Sequence, residues 1–563
     1  MLKNIPVFLF ATITLFSSAN FAAAPTNKEI RIGISQEFDI MHSILWMNDV
    51  TFYVMSPVTR NMTYLAADGE WKADIAQEIP TLKNGLLKII SGKDGKKTLQ
   101  VVWKIKEAAK WADGVPITCE DLKLAWEIGN APTVAVGTRE DFREIAKIEW
   151  DPKTPKVCNY TYDSSRWNFY KNIPAPLPNH LERAPFEKFK SKPDGYLQNS
   201  NYTRNPTLPG LYNGPYYVSE HKNGSHVMMV PNPHFFGTKP KIQRVIFKVI
   251  GNTSALEANL LSGSIDLIST IGLSLDQSLI LEKKIATQGL PYNLITQPSL
   301  KYEHIDLMTD NPKLSDKRVR KAMLLSLNRE ELTQAMFKGK LQTAHHFLVP
   351  IDPAYTEDPK FVTKYPFNRR EAARLLDEAG WKMGSDGIRL KDGVKLSLKF
   401  MTTAGDKVRE TVQTLMKDQW KTVGIEVNIK NEPARVLIAD TLQKRKFDSM
   451  ILYYWTSTPE GSKRSMFHSS QIPSSKNGFA GENYPGWKNA KVDELLIKID
   501  SEFEQKARIA MTRELAKEYT EELPVLPLFY RADVAVIPKN LKGFVITGHY
   551  FNEMYSIENW NLE

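Results

Sequence analysis

The chain has 563 residues, of which 42% are hydrophobic and 25% charged, a composition typical of folded domains and not of disordered chains. A single hydrophobic core rarely serves more than about 300 residues, so we expect two or three domains or lobes. The formal net charge of +10 comes from 74 basic against 64 acidic residues. Because no run of five basic residues occurs, we expect no nucleic-acid partner.

The first 24 residues have the order of regions found in secretory signal peptides. A basic start at Lys3 precedes a mostly apolar stretch over residues 5–16 and a segment of small residues that ends at Ala24. The apolar stretch is too short to span a membrane comfortably. The sequence therefore predicts a soluble protein secreted to the periplasm, without a lipid anchor because no cysteine lies near the cleavage site. An uncleaved membrane anchor is the alternative.

Alternating apolar and polar residues predict the elements of the first half of the chain. Strands are predicted at residues 28–35, 97–106 and 156–162. Between the last two, a helix begins after Thr118, because acidic residues in a first turn favour the helix dipole. We interpret residues 186–210 as a surface connection. Strands and a helix then follow one another over residues 213–268, which indicates an α/β unit.

A second series of elements begins near residue 298. Helices are predicted at residues 316–327, 368–379, 407–423, 492–499 and 504–520. Strands are predicted at residues 302–308, 394–401, 425–430, 447–455, 523–530 and 534–537. This series has the same α/β character as the first and predicts a second lobe.

The strand over residues 447–455 ends in Tyr453, Tyr454 and Trp455, and a small polar loop over residues 456–461 follows it. Proline and glycine in this loop end the strand abruptly. A core strand that ends in aromatic residues is suited to form the wall of a ligand pocket. An ordinary strand end is the alternative interpretation.

Polar residues also follow the first strand of the chain. This position places Asp39, Met41 and His42 at a possible cleft edge. For Asp39, a capping or turn role is the more common explanation.

Two cysteines occur, Cys119 and Cys158. In an oxidising compartment such a pair often forms a disulfide. Two small buried apolar residues remain an open alternative.

No recognised catalytic or metal-binding motif is present. The chain lacks a Gly-x-Ser-x-Gly elbow, a His-Glu-x-x-His motif and a phosphate-binding loop, which are common signatures of enzymes. His345 and His346 are adjacent, so their side chains diverge in a helix or a strand and make a poor metal pair. We therefore expect a protein that is not an enzyme and has no cofactor and no metal.

Several segments, in the same order along the chain, resemble one family. The first segment, residues 111–122, is similar to the family's aromatic-x-Asp-Gly-x-Pro-x-Thr-Ala-Glu-Asp-Val pattern. Its sequence is Trp-Ala-Asp-Gly-Val-Pro-Ile-Thr-Cys-Glu-Asp-Leu, with Cys119 where Ala is usual. Further similar segments lie at residues 213–216, 231–237, 263–266, 316–320, 368–380 and 483–493. By these motifs the chain resembles the large extracytoplasmic solute-binding proteins of peptide-type ABC transporters, family 5.

The resemblance implies an α/β, two-lobe periplasmic binding protein fold of class II, the large peptide-binding type, with an extra inserted domain. It implies that the lobes are joined by a two-strand hinge and close around a ligand. By analogy, lobe I would comprise residues 28–75, 205–297 and 523–563, the inserted domain 76–204, and lobe II 298–522.

The resemblance also implies a binding site. Family members bind a peptide through hydrogen bonds between its main chain and their own. An Asp three residues after a cleft Trp binds the ligand's ammonium group. Trp455 matches that Trp, but Thr458 stands where the Asp is expected; Glu460 could substitute for it. Thr403 lies in a loop where some dipeptide binders carry an Arg for the ligand carboxylate. The nearby cations are Arg409 and Arg435, each of which could instead be a solvated charge.

The implied function is that of the solute-binding component of an ABC importer. The protein, expected to be a monomer, would capture a peptide or peptide-like solute and deliver it to a membrane permease. Thr458 makes a standard peptide with a free amino terminus a less secure ligand. One alternative keeps the fold but binds a metal chelate or a sugar, or presents its ligand to a receptor. A secreted hydrolase is the other alternative.

Overall fold

The computed structural model describes residues 28–563, except residues 39, 46–48, 92–96, 135, 137–138, 172, 434–435, 458, 478 and 480. Its strands are β1 Glu29–Ile34, β2 Thr63–Leu65, β3 Trp71–Ala73, β4 Leu87–Ser91, β5 Lys97–Lys104, β6 Ile145–Glu149, β7 Val157–Tyr162, β8 Tyr216–Lys222, β9 His226–Pro231, β10 Arg244–Val249, β11 Leu267–Ile268, β12 Tyr292–Leu307, β13 Lys382–Met383, β14 Arg389–Lys391, β15 Val394–Lys395, β16 Ser397–Met401, β17 Glu426–Ile429, β18 Met450–Thr456, β19 Val525–Pro538, β20 Leu541–Lys542 and β21 Asn561–Leu562.

The α-helices are α1 Asp49–Met55, α2 Cys119–Asn130, α3 Glu140–Arg143, α4 Asn179–Phe189, α5 Gly195–Asn199, α6 Asn201–Arg204, α7 Thr253–Leu261, α8 Leu275–Gln288, α9 Lys317–Leu325, α10 Arg329–Phe337, α11 Arg369–Glu378, α12 Lys407–Lys421, α13 Arg464–Phe467, α14 Ala490–Ser501 and α15 Gln505–Glu522. A π-helix spans Leu437–Leu442. In the parts of the chain that the structure describes, no helix is both long and apolar enough to cross a bilayer.

One sheet of ten strands runs through the molecule in the order β17-β16-β18-β12-β19-β11-β1-β10-β9-β8. The long antiparallel strands β12 and β19 occupy its middle and pair from Tyr292 opposite Pro538 to Asp306 opposite Val525. Their register shifts between Pro298 and Tyr302, as expected where a proline interrupts the ladder. The two strands are therefore the connection between the halves of the sheet, and they form the hinge.

Separate hydrophobic cores lie on the two sides of this hinge. β1, β10 and the end of β19 contribute to one core, whereas β16, β17 and the start of β19 contribute to another. The chain therefore forms two lobes, each with its own core, and β19 extends through both. This arrangement allows the lobes to move relative to each other about β12 and β19.

The segment proposed as an inserted domain, residues 76–204, contributes to two cores. The four-stranded sheet β4-β5-β7-β6 packs its own core around residues such as Trp103. In that core, Cys119 at the start of α2 is joined to Cys158 on β7 by a disulfide with an S–S distance of 2.06 Å. Leu124 and Tyr196, in contrast, pack into the core of β1 and β10.

The interpretation of residues 186–210 as a surface connection is wrong. This segment contains the end of α4 together with α5 and α6, and Tyr196 and Tyr202 on these two short helices are buried. The hydroxyl groups of Tyr196 and Ser200 donate to the buried carboxylate of Glu182, at 2.7 and 2.8 Å. The polar residues of the segment therefore satisfy one another inside the protein.

Candidate ligand cleft

Two adjacent chambers lie where the lobes meet. The smaller has a volume of about 290 Å³ and contains Trp455 in its wall; we call it the tryptophan chamber. The larger has a volume of about 740 Å³ and is lined by Arg409 and Arg531; we call it the arginine chamber. Both are lined by Asp49, Thr270, Ile271, Lys301 and Asp533. The chambers thus form one cleft whose walls come from α1 on one lobe, β18 on the other and both hinge strands.

The two chambers use opposite faces of β18, because successive side chains of a strand point to opposite sides of the sheet. Tyr454 lines the arginine chamber, and Trp455 lines the tryptophan chamber. Tyr453 is buried in a core on the same face as Trp455, and its hydroxyl donates to Asp306 at 2.5 Å. The aromatic end of β18 therefore separates the chambers, with Tyr453 as a support rather than a wall.

A buried carboxylate organises the arginine chamber. Glu303 on β12 accepts a hydrogen bond of 2.6 Å from Arg409 Nε and one of 2.9 Å from Arg531 Nη1. Both guanidinium groups stack on the ring of Tyr454, at 5.3 and 4.6 Å from its centroid. Burial opposes ionisation of Glu303, but the two arginines outweigh it and lower the pKa of this carboxyl. Asp406, which also lines this chamber, lies 3.6 Å from Arg409 Nη1, so two carboxylates balance the two guanidinium groups on this wall.

An ion pair connects the hinge strands at the boundary between the chambers. Lys301 Nζ on β12 lies 2.8 Å from Asp533 Oδ1 on β19. Burial works against the Lys301 ammonium group, but the charge of Asp533 outweighs it, so the pKa of Lys301 is raised. The pair is therefore charged, and it borders both chambers.

The tryptophan chamber combines apolar and polar walls. Phe52 and Tyr53 from α1 and Tyr550 near the C-terminus face Met466 and Trp455 of the other lobe. Such a surface can bury the apolar part of a solute while polar groups orient it. The polar lining residues include Lys463 and several hydroxyl-bearing residues between positions 456 and 465.

Three of the predicted site residues line the cleft. Trp455 and Tyr454 do so as described, and Thr403 lines the arginine chamber, with its Oγ1 3.4 Å from Arg409 Nη1. Asp39, Arg435 and Thr458 lie outside the described residues, so their roles stay predictions. No group of three His, Cys, Asp or Glu side chains that could hold a metal ion occurs in the described part of the chain.

The placement of Met41 and His42 at the cleft edge is wrong. Both are buried in the core of the lobe that contains β1. His42 Nε2 lies 3.0 Å from the hydroxyl of Tyr196, and the His42 ring packs 4.6 Å from that of Tyr202. Burial lowers the pKa of His42 to about 3, so the imidazole is neutral. Ser35 and Gln36, directly after β1, line the arginine chamber, and the chain has turned inward against α5 and α6 by His42.

The side chain of Glu460 is engaged outside the two chambers. Its side chain lies 3.3 Å from Arg508 Nη2 and accepts a hydrogen bond of 3.0 Å from Gln505. It lines neither of the two chambers described above. Glu460 therefore fixes the loop after β18 against the start of α15.

The sequence interpretation missed the charged residues that the hinge strands contribute to the cleft: Lys301, Glu303, Arg531 and Asp533. The sequence feature that could have identified them is a charged residue inside an otherwise apolar strand. On β12, Lys301 and Glu303 interrupt a buried run, and on β19 Arg531 and Asp533 lie between two apolar segments that the sequence predicts as separate strands. A charged residue in the middle of a buried strand is best explained by a cleft or an ion pair at that point.

Comparison with known proteins gives a consistent result. The sequence model of the bacterial extracellular solute-binding proteins, family 5 Middle, matches residues 90–473. The oligopeptide-binding protein AppA of Bacillus subtilis is 26% identical over 464 residues, which cover 82% of this chain and 80% of the relative. The periplasmic murein peptide-binding protein MppA of Escherichia coli is 24% identical over 467 residues, covering 81% and 82%.

A solved structure shows the same architecture. The oligopeptide-binding protein of Thermus thermophilus, complexed with a pentapeptide, superposes with a TM-score of 0.78 at 27% identity and covers 95% of this chain and 96% of that one. The α/β, two-lobe fold predicted from the sequence is confirmed by this match and by the sheet described above.

Proposed function

The chain belongs to the bacterial extracellular solute-binding proteins of family 5, and on this premise we propose that it captures a peptide between its two lobes and delivers it to the membrane permease of an ABC importer. The observation that carries the proposal is the cleft itself. It borders both lobes, it lies on the two hinge strands, and its larger chamber alone has a volume of about 740 Å³.

This geometry supports binding by closure. Trp455 and Arg409 belong to one lobe, whereas Asp49 and Tyr550 belong to the other. A ligand that contacts both sets stabilises the closed arrangement by the difference between its affinities for the closed and open states. The closed form then carries the signal that a permease recognises. We propose that the protein acts as a monomer in the periplasm and releases its ligand unchanged.

A peptide is the ligand class supported by the relatives, whose names and titles describe peptide binding. The structure adds a charge pattern suited to a zwitterion. Arg531 lines the arginine chamber with a side chain that is 29% exposed, which places a cation at the cleft. Asp49 begins α1 and is exposed to the cleft. A peptide carries charges of both signs that can meet these walls.

A thermal-shift screen tests the proposal. The purified protein is heated with pools of short peptides and, separately, with sugars and metal chelates at equal concentration. Peptide pools are expected to raise the melting temperature, because a ligand that binds only the folded state stabilises it by RT ln(1 + [L]/Kd). Stabilisation by sugars or chelates with no response to peptides would contradict the proposal.

A further inference from the structure

Lys463 is a buried lysine in the wall of the tryptophan chamber. Its side chain is 5% exposed, and it lines the chamber together with Ser457. Its Nζ donates a hydrogen bond to Ser457 Oγ. Within the described part of the chain, no carboxylate lies within the 4.0 Å of its ammonium group that would define an ion pair. The charge at this wall is therefore held without a direct counter-ion.

Such an arrangement is unfavourable unless something else compensates it. An ammonium group that is removed from water without a paired anion loses much of its hydration free energy. Burial lowers the pKa of Lys463, and the charge of Asp352 opposes this only in part. Asp352 is itself buried, and its carboxylate accepts a hydrogen bond of 2.9 Å from the backbone N–H of Ala354.

The surrounding charges do not supply the missing anion. Lys171 lies against the same loop, with its Nζ donating to the Pro459 carbonyl at 3.0 Å. Arg508 is a third cation near this loop, and it forms an ion pair with Glu460 at 3.3 Å.

The carboxylates that line the tryptophan chamber are Asp49 and Asp533. Asp533 is paired with Lys301 at 2.8 Å. Asp49 is solvent-exposed and belongs to α1 on the opposite lobe, where water stabilises its charge. Neither carboxylate is within ion-pair distance of Lys463.

We propose that the tryptophan chamber binds a carboxylate of the ligand, which pairs with Lys463 and accepts a further hydrogen bond from a hydroxyl group of its wall. The inference rests on the proposed function and deepens it by naming the ligand group that this chamber selects. A charge-assisted hydrogen bond between an ammonium and a carboxylate is about twice as strong as a neutral one. The aromatic walls exclude water around the pair and strengthen it further.

A set of synthetic peptides tests the inference. Alanine peptides of several lengths are prepared with either an acetyl or a succinyl group on the amino terminus, and with either a free carboxylate or an amide at the carboxyl terminus. Binding to the wild type and to Lys463→Met is measured by calorimetry. In the wild type, removing the carboxylate at one end is expected to weaken binding about tenfold or more. Lys463→Met is expected to lose that discrimination while still binding the uncharged form of the same end.

Matched variants separate this effect from damage to the fold. Lys156→Met removes a partly buried lysine that lines neither chamber and should discriminate between the peptides as the wild type does. Lys463→Gln retains a hydrogen-bond donor without the charge and should behave as Lys463→Met does. The inference is overturned if the wild type binds succinyl and acetyl peptides equally well and also binds the free-carboxylate and amide peptides equally well. This result needs no variant. It is also overturned if Lys463→Met discriminates as strongly as the wild type. If no peptide in the set or in the peptide pools binds at all, the proposed function itself fails.

Discussion

Lys301 Nζ and Asp533 Oδ1 are 2.8 Å apart and join the two hinge strands at the boundary between the chambers. The side chains are 21% and 11% exposed, so water screens the pair only in part. Replacing either partner alone leaves a partly buried charge without its counter-ion, whereas replacing both leaves no unpaired charge.

We therefore expect the effects of Lys301→Met and Asp533→Asn on the free energy of unfolding to be non-additive. The double variant should be more stable than the sum of the single variants predicts, by about 1 kcal/mol. Chemical denaturation of the four proteins in the absence of ligand measures this coupling. Strict additivity would show that the pair does not stabilise the hinge.

Glu303 gives a second prediction, because one carboxylate serves both Arg409 and Arg531. Glu303→Gln removes the carboxylate shared by the two guanidinium groups, although Arg409 keeps Asp406 at 3.6 Å, and it should lower the free energy of unfolding by about 3 kcal/mol at neutral pH. Since the folded pKa of Glu303 is lowered, its contribution is fully present above its unfolded pKa and is lost as the pH falls through the folded pKa.

The stability difference between the wild type and Glu303→Gln should therefore shrink at acid pH, as measured by chemical denaturation over a pH series. Glu494→Gln is a suitable control, because it changes an exposed carboxylate of α14 that pairs with Lys498, and it should have little effect. A Glu303→Gln deficit that is small or independent of pH would be evidence against the ionised bridge.

Lys171 gives a pH prediction of the same sign, but at neutral to alkaline pH. Burial lowers the pKa of Lys171 to about 7, while its ammonium packs 4.3 Å from the ring centroid of Trp167. Above this pH the folded protein has released a proton that the unfolded chain still binds, so stability rises with pH. Compared with Lys171→Met, the wild type should gain at most about 1.4 kcal/mol per pH unit between neutrality and about pH 9. Parallel stability curves for the two proteins would refute this.

Trp455 gives the most direct prediction for the cleft. Its ring packs edge-on against Tyr453 and Tyr484, at 6.3 and 6.4 Å between centroids, and it lines the tryptophan chamber. Trp455→Ala should weaken peptide binding by at least about tenfold, since a buried aromatic wall contributes about 2 kcal/mol or more. Trp150→Ala, which alters a partly buried indole packed on the β4–β7 core, should leave the peptide-induced shift in melting temperature intact. Equal peptide-induced shifts in melting temperature for both variants would show that Trp455 is not part of the binding site.

The sequence predicts most of the local structure because its signals are local. The helix that begins at Cys119 is an example: the backbone N–H of Thr118 donates to the Asp121 carboxylate at 2.8 Å, as a capping box requires. The hinge strands were only partly predicted. The segments predicted at residues 523–530 and 534–537 are one strand, since Ala532 and Asp533 between them pair with Pro298 and Gln297.

The charged cleft could not be assembled from the sequence, because its contacts are distant along the chain. Glu303 meets its partners across 106 and 228 residues, and no periodic pattern encodes such a pairing. The sequence identified Trp455 from the aromatic end of a strand, but it could not distinguish Tyr453, which supports the wall, from Tyr454, which forms it. That distinction depends on which face of β18 each side chain occupies.

Mass spectrometry of the ligand that co-purifies with the protein tests the central claim most directly. The protein is purified without denaturation from the cells that produce it, its mass is measured under native conditions, and the released solute is fragmented. The account predicts a bound solute whose fragments show peptide bonds, and a lower occupancy for Trp455→Ala than for Trp150→Ala. A stoichiometric bound solute that contains no amino acids would contradict it.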